Sequence, residues 1–136
     1  MIATYVRLRA GGEDYAVPVA EVLEVIPLGA VDAVPGAPAA SLGVCALRGQ
    51  PLPVFNLARV LGLQAETSAG QILVTPHARG RVGWAVDAVT DVGELASEHD
   101  RAESPWLRST VLADGALVGV LDLPALVARL EEEVRG

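Results

Sequence analysis

Few side chains in this sequence could carry out chemistry. The two histidines, His77 and His99, fall in predicted loops, and neither has a second ligand at the spacing that a metal site needs. The single cysteine, Cys45, lies mid-strand between Val44 and Ala46, with no base nearby in the sequence. We interpret both histidines as solvated and Cys45 as a small core residue. The sequence therefore predicts no catalytic histidine, no reactive thiol and no bound metal.

A group of acidic residues near position 90 is the other candidate for acid–base work. Paired carboxylates can share a proton, but a solvated strand edge is the simpler interpretation of this group. Neither the glycine-rich phosphate loop nor the nucleophile elbow occurs in the chain. We therefore predict a protein that is not an enzyme and holds no cofactor. The acidic residues are Asp87, Asp91, Glu94 and Glu98.

Charge and composition exclude several further classes of protein. Ten arginines, no lysines and 17 acidic residues give a net charge of −7, which repels phosphate backbones and argues against a nucleic-acid partner. One cysteine cannot form an internal disulfide, which suits the cytoplasm. The first residues lack the pattern of a signal peptide, and no apolar run reaches the ~20 residues of a membrane helix. We expect a cytoplasmic protein without direct membrane insertion.

Glycine, proline and Val-rich runs predict a chain of short strands joined by tight turns. The glycine pair Gly11-Gly12 predicts a first hairpin, and Val19 to Ile26 predicts a helical turn followed by a strand from about Leu23. Prolines then predict a loop, and Asn56 is placed to cap a short helix ending near Gly62. The strands predicted in this half cover 5–9, 15–19, 23–26, 44–48 and 51–55.

The second half repeats this order after a polar linker predicted at 64–70. Its predicted strands cover 72–75, 82–86, 89–95, 107–113 and 116–121, and Ser97 to Pro105 is predicted to be exposed and mobile. Asp114-Gly115 is a strong hairpin turn, and Asp122 is placed to cap the only long helix, with Pro124 in its first turn. The apolar stripe of that helix is formed by Leu126, Val127, Leu130 and Val134.

The two halves resemble each other at an offset of about 66 residues. The segment that begins at Gly49 and the segment that begins at Gly115 both consist of a turn glycine, an apolar strand, a capping Asn or Asp and a helix starting with Leu. The sequences 15–17 and 22–25 have matching counterparts at 84–86 and 89–92. We interpret the chain as two copies of one unit of about five strands, enough for a small barrel. Chance recurrence of a turn, strand and cap is the alternative.

Eight blocks in order resemble the CheW-like domain family over nearly the whole chain. The most specific is Leu-Arg-Gly at 47–49, followed by Pro-Val at 53–54 and Asn-Leu at 56–57. The other blocks are Tyr15-Ala-Val-Pro-Val, Val22-Leu-Glu-Val-Ile, Val34-Pro-Gly-Ala-Pro, Ile72-Leu-Val, Gly83-Trp-Ala-Val-Asp and Val120-Leu-Asp-Leu. The resemblance implies one CheW-like domain over 1–136: an all-β fold of two pseudo-symmetric, intertwined five-stranded SH3-like β-barrels with a C-terminal helix.

The resemblance also implies a function, which is adaptor binding without catalysis. Family members couple the cytoplasmic tip of methyl-accepting chemoreceptors to the regulatory domain of a CheA-type histidine kinase. The partner-binding residues that it carries over to this chain are Val22, Glu24, Gly43, Arg48, Gly83, Val89 and Val92.

Some positions depart from the family pattern. Ala46 stands where Asn is common before Leu-Arg-Gly, Asn56 replaces the usual capping acid, and Ala58 replaces a basic residue. These departures leave open a CheW-like module of a motility or pilus signalling complex. A ligand-binding β-barrel or small β-barrel enzyme is a further alternative, for which the sequence offers no polar cluster.

The repeat suggests one specific ion pair. It preserves apolar residues but not charge: Arg48 aligns with Asp114, and Glu24 aligns with Asp91. We expect Glu24 and Arg48 to face each other across neighbouring strands, beside a receptor-binding groove. An ordinary exposed Arg48 in a turn is the alternative.

Overall fold

The computed structural model describes residues 2–63, 70–78, 80–99 and 104–135, and within these it is mostly β-structure. The first half contains β1 (Ile2–Ala10), β2 (Glu13–Pro18), a 3₁₀ turn (Val19–Glu21), β3 (Glu24–Pro27), β4 (Ser41–Leu47), β5 (Gln50–Asn56) and α1 (Leu57–Val60). The second half contains β6 (Gln71–His77), β7 (Gly80–Val86), β8 (Ala88–His99), β9 (Leu107–Ala113), β10 (Ala116–Leu121) and α2 (Leu123–Arg135).

The two halves exchange their first hairpins. β1 and β2 join β8, β9 and β10 in a barrel of order β1-β2-β10-β9-β8, which closes on itself and is here called the closed barrel. β6 and β7 join β3, β4 and β5 in a sheet of order β3-β6-β7-β5-β4, here called the open barrel. Each contains one parallel pair in the equivalent place, β2 with β10 and β5 with β7. The predicted duplication and the intertwined double-barrel fold are confirmed.

Three tight hairpin turns have positive φ at both central residues. Gly11-Gly12, Arg48-Gly49 and Asp114-Gly115 all have positive φ at both central positions, as two-residue hairpin turns that match the twist of the strands require. The last two pairs have nearly the same φ values, 51° and 77° against 50° and 80°. The hairpins predicted at these turns are confirmed, and the turns at 48–49 and 114–115 are equivalent.

The main hydrophobic core lies where the two barrels meet. Side chains from both barrels and from both helices form it, and smaller apolar clusters fill each barrel. Trp84 is fully buried there and donates its ring N–H to Thr75 Oγ1 at 2.9 Å, so neither buried polar group lacks a partner. Prominent members of the shared core are Leu8, Val17, Leu57, Trp84, Leu121 and Leu126.

The predicted helix caps are confirmed. The backbone N–H of Arg59 donates to Asn56 Oδ1 at 3.4 Å, and that of Ala125 donates to Asp122 Oδ1 at 3.1 Å. Each cap satisfies a donor at a helix start that has no partner within the helix. Of the predicted stripe on α2, Leu126 and Leu130 are buried and Val127 is half-buried, while the side chain of Val134 lies outside the described part.

One predicted loop is partly wrong. The backbone of Ser97 and His99 continues β8 and pairs with β9 at Val111 and Thr110, so these residues are not a mobile loop. Their polar composition predicted a loop, but pairing with β9 satisfies their backbone groups within a strand. Residues 100–103 of that prediction, residues 64–69 of the predicted linker, and Arg79 lie outside the described residues.

Candidate functional site

The predicted pair of Glu24 and Arg48 is present, with a bidentate geometry. Arg48 donates from Nη1 to Glu24 Oε2 at 2.6 Å and from Nη2 to Glu24 Oε1 at 2.9 Å. This fork arrangement fixes the plane of the guanidinium as well as its position. These hydrogen bonds lower the pKa of Glu24 below its usual value against a smaller effect of burial, and the charges of Arg48 and Arg81 act in the same direction.

The sequence suggested that the pair spans neighbouring strands, and this part of the prediction is wrong. Glu24 begins β3 and Arg48 lies in the turn after β4, and these two strands are at opposite ends of the sheet order. The two ends of the sheet are joined by one backbone bridge, in which Asp32 of the loop after β3 pairs with Val44 of β4 through two hydrogen bonds. We call the gap between β3 and β4 the seam of the open barrel. The ion pair and the bridge both join its two sides.

Arg48 holds its position at a conformational cost. Its φ of 51° lies in the left-handed region, where Gly, Asn and Asp are favoured and a long side chain is not. Its side chain is 67% exposed and that of Glu24 is 24% exposed. An unfavourable backbone at an exposed charged residue makes Arg48 a candidate functional residue.

Exposed apolar side chains flank Glu24 along the chain. On β3, Glu24 and Ile26 face one side of the strand, and Val25 faces the other side, where it is 37% exposed. Leu23, just before β3, is 54% exposed. Val19, in the 3₁₀ turn just before, is 40% exposed. We call Val19, Leu23 and Val25 the β3 surface. Apolar side chains beside a fixed ion pair are typical of a protein–protein contact.

Two predicted site residues are buried glycines with packing roles. Five residues on neighbouring strands form one row across the open barrel through backbone pairing. In order, they are Glu24, Val74, Gly83, Val54 and Gly43. A Cβ at Gly43, where φ is 128°, would overlap the carbonyl oxygen of Asp32, and a Cβ at Gly83 would lie 2.7 Å from Ile72 Cγ2. Both glycines are buried, so they shape the barrel from inside.

The remaining predicted residues lie apart from the pair. Val22 and Val89 are half-buried against the shared core, and the backbone N–H of Val89 donates to Gln71 Oε1 at 2.7 Å. Val92 is 55% exposed on β8, in the closed barrel. The structure thus brings Glu24 and Arg48 together, and it locates Val22 and Val89 at the junction of the barrels.

Sequence reasoning missed three further polar contacts. Arg108 of β9 binds Glu21 of the 3₁₀ turn at 2.7 Å, and this contact joins the closed barrel to the segment before β3. Arg7 binds Asp114 at 2.9 Å, and His77 Nε2 lies 3.2 Å from a carboxylate oxygen of Glu131 on α2. The partners are 54 to 107 residues apart along the chain, so no local pattern could have revealed them.

The described residues give little sign of reaction chemistry. Among them, no three His, Cys, Asp or Glu side chains are grouped to hold a metal ion. Cys45 is half-buried against the apolar cluster of the open barrel. Asp87 accepts from the backbone N–H of Gly12 at 3.0 Å, and Asp91 accepts from that of Val92 at 2.9 Å. In the described part of the chain, no helix is long and apolar enough to cross a membrane.

The fold and the β3 surface define a class of protein: a double-barrel binding domain. Residues 4–131 match the CheW-like domain family, which is nearly the whole chain. The chain belongs to that family, as its sequence blocks had indicated.

Individual relatives agree with this assignment. The chain is 29% identical to a probable chemotaxis protein CheW of Rhizobium etli and 26% identical to the chemotaxis protein CheW of Rhizobium meliloti, with 94% of this chain and 89% of each relative covered. It is 36% identical to the chemotaxis protein CheW of Helicobacter pylori over 60% of this chain and 50% of that protein.

A solved structure agrees with the fold. The crystal structure of the scaffolding protein TtCheW from Thermoanaerobacter tengcongensis superposes with a TM-score of 0.79 at 20% identity, covering 90% of this chain and 86% of that one. At this identity, the match supports the double-barrel architecture.

Proposed function

We propose that this chain is a chemotaxis adaptor that couples the cytoplasmic tips of chemoreceptors to the regulatory domain of a CheA-type histidine kinase. It acts by binding and carries out no catalysis. The family match over residues 4–131 and the chemotaxis proteins among its relatives support this role.

The observation that carries the proposal is the fixed Glu24–Arg48 pair beside the β3 surface. A bidentate guanidinium offers donors in a set direction, and exposed Leu23 and Val25 offer apolar area to bury. Charged groups of this kind orient a partner and set specificity, while the apolar area supplies affinity. The receptor tip is the partner that we assign to this surface.

The partner-binding residues divide into two groups under this proposal. Glu24 and Arg48 act beside the β3 surface, while Val22 and Val89 at the junction of the barrels and Val92 on β8 extend the contact to the closed barrel. Gly43 and Gly83 act indirectly, because the seam and the sheet beneath the ion pair need the close approach that they allow.

A binding experiment with matched variants tests the assignment. We expect purified protein to retain both the cognate kinase and a receptor-tip fragment on one affinity resin. Leu23→Glu places a charge on the β3 surface and should release the receptor fragment. Leu117→Glu is the control, since Leu117 of β10 is similarly exposed, 57% against 54%, but lies in the closed barrel.

The outcomes are distinct. Loss of the receptor fragment with Leu23→Glu alone supports the assignment. Retention with Leu23→Glu, or equal loss with both variants, contradicts it. Failure of the parent protein to bind either partner contradicts the adaptor function itself.

The absence of catalysis is a separate prediction. Purified protein should show no ATPase, phosphatase or methylesterase activity. An activity that co-purifies and disappears in His77→Ala or Cys45→Ala would refute it.

A further inference from the structure

An apolar groove lies between α2 and the open barrel. Its volume is about 320 Å³, and its apolar lining comes from β5, β7 and α2. Val82 and Leu130 form the most buried part, each 5% exposed, and the half-buried side chains of Phe55 and Val127 flank them. The side chains that give the groove its apolar character are Pro53, Phe55, Val82, Val127 and Leu130.

Three polar side chains border this groove: Arg81, His77 and Glu131. His77 and Arg81 border it, and both also border an adjoining hollow that contains Arg48. His77 is already matched by Glu131, and Arg48 by Glu24. Two of the ten arginines of this acidic chain, Arg81 and Arg48, therefore lie in the groove or in the hollow next to it.

Arg81 has one hydrogen bond to a backbone carbonyl and no ion pair with any described residue. Its Nη2 donates to the carbonyl oxygen of Leu47 at 3.3 Å. Among the described residues, no carboxylate lies within the 4.0 Å of an ion pair with Arg81, and Glu24, which feels its charge, is already bound twice by Arg48. A half-buried guanidinium beside apolar side chains is a site that an incoming carboxylate would complete.

We propose that this groove docks a segment of a partner protein that combines apolar side chains with an Asp or Glu carboxylate. The apolar side chains cover Phe55, Val82 and Leu130, and the carboxylate pairs with Arg81. The charge of Arg81 selects an acidic segment over a basic or neutral one. This site is separate from the β3 surface and does not depend on the chemoreceptor assignment.

Two synthetic peptides probe the chemistry directly. One is a twelve-residue, acetylated and amidated peptide of Ala, Leu and Glu, with leucines on one helical face and glutamates beside them. The other has Gln in place of every Glu. Titration into ¹⁵N-labelled protein should shift the amide signals of Val82, Val127 and Leu130, and the Glu peptide should bind about tenfold more tightly than the Gln peptide.

Variants of the protein assign the difference to Arg81. Arg81→Gln should make the two peptides bind equally. Arg59→Gln is the matched control, because Arg59 also donates to a backbone carbonyl at 3.3 Å, that of Ala39, and lies outside the groove. Val127→Asp should weaken both peptides, and this second variant keeps the test informative if Arg81→Gln folds poorly.

Several results would overturn the proposal. These are equal affinity of the two peptides for the parent protein, an unchanged preference in Arg81→Gln, or shifts confined to the β3 surface. The absence of any shift in the groove would contradict it as well.

Discussion

The closed and open barrels share a strand order and an equivalent hairpin turn, yet the two end strands of that order are joined differently in each barrel. In the closed barrel, β8 is 12 residues long and pairs with β9 at Ala96, Ser97 and His99. In the open barrel, the equivalent strand β3 has four residues and ends at Pro27, which has no N–H to extend a ladder. In the open barrel, one backbone bridge and the Glu24–Arg48 pair join the two sides of the seam where the closed barrel has a ladder of backbone hydrogen bonds.

The two equivalent turns show the same contrast in charge. Asp114 and Arg48 have almost identical φ values, but Asp suits the left-handed region and Arg does not. Asp114 binds Arg7 of its own barrel, and Arg48 binds Glu24 across the seam. The closed barrel uses a residue that favours the turn, while the open barrel keeps an arginine beside its exposed apolar strand. This difference supports the proposal that the partner surface lies on the open barrel.

The largest expected effect comes from Gly43→Ala. An added Cβ would overlap the Asp32 carbonyl and must displace the bridge that joins the seam, in a conformation that alanine disfavours. We expect a loss of about 3 kcal/mol in the free energy of unfolding, measured by denaturant titration. Ser109 occupies the equivalent place in the closed barrel, opposite Val120 as Gly43 is opposite Val54.

Ser109→Ala is therefore the matched control, with an expected change below about 1 kcal/mol. Similar losses for the two variants would show that the seams of the two barrels are equally constrained.

A smaller effect is expected at the cap of α2. Asp122→Ala removes the acceptor for the N–H of Ala125, and we expect a loss of about 1 kcal/mol, or a fall of about 3–5 °C in melting temperature. Asn56→Ala, at the equivalent cap of α1, should cost at least as much, since Asn56 is buried. Parent-like denaturation of Asp122→Ala would show that the Asp122 cap does not stabilise the protein.

The smallest effect concerns pH. Because the pKa of Glu24 is lowered in the folded protein, its contribution to stability is present above its ordinary value of 4.5 and is lost as pH falls through the lowered pKa. The melting temperatures of the parent and of Glu24→Gln should therefore differ slightly at pH 7 and converge in acid. A difference that persists at low pH would show that the carboxylate charge is not its source.

Local signals in the sequence predicted the elements well. Glycine pairs and Asp114-Gly115 fixed the hairpins, and Asn56 and Asp122 marked the helix starts, because turns and caps depend on a few adjacent residues. Comparison of the two repeats predicted the Glu24–Arg48 contact, although it suggested neighbouring strands rather than the two ends of a sheet.

Long-range features could not be predicted in the same way. The contacts of Arg108 with Glu21 and of His77 with Glu131, and the groove beside Arg81, depend on how α2 and the exchanged hairpins pack. Those positions are set by the shared core, which leaves no local pattern among charged surface residues. The β3 surface was also missed as a patch, since Leu23 and Val25 read as ordinary strand residues.

Receptor-tip affinity across a charge-reversal cycle tests the central claim most directly. Arg48→Glu should weaken binding about tenfold or more with nearly unchanged melting, the double change of Glu24→Arg with Arg48→Glu should recover part of the loss, and Asp114→Arg in the equivalent turn should bind like the parent. Parent-like affinity of Arg48→Glu, or an equal loss with Asp114→Arg, would contradict the assignment of the partner surface to the open barrel.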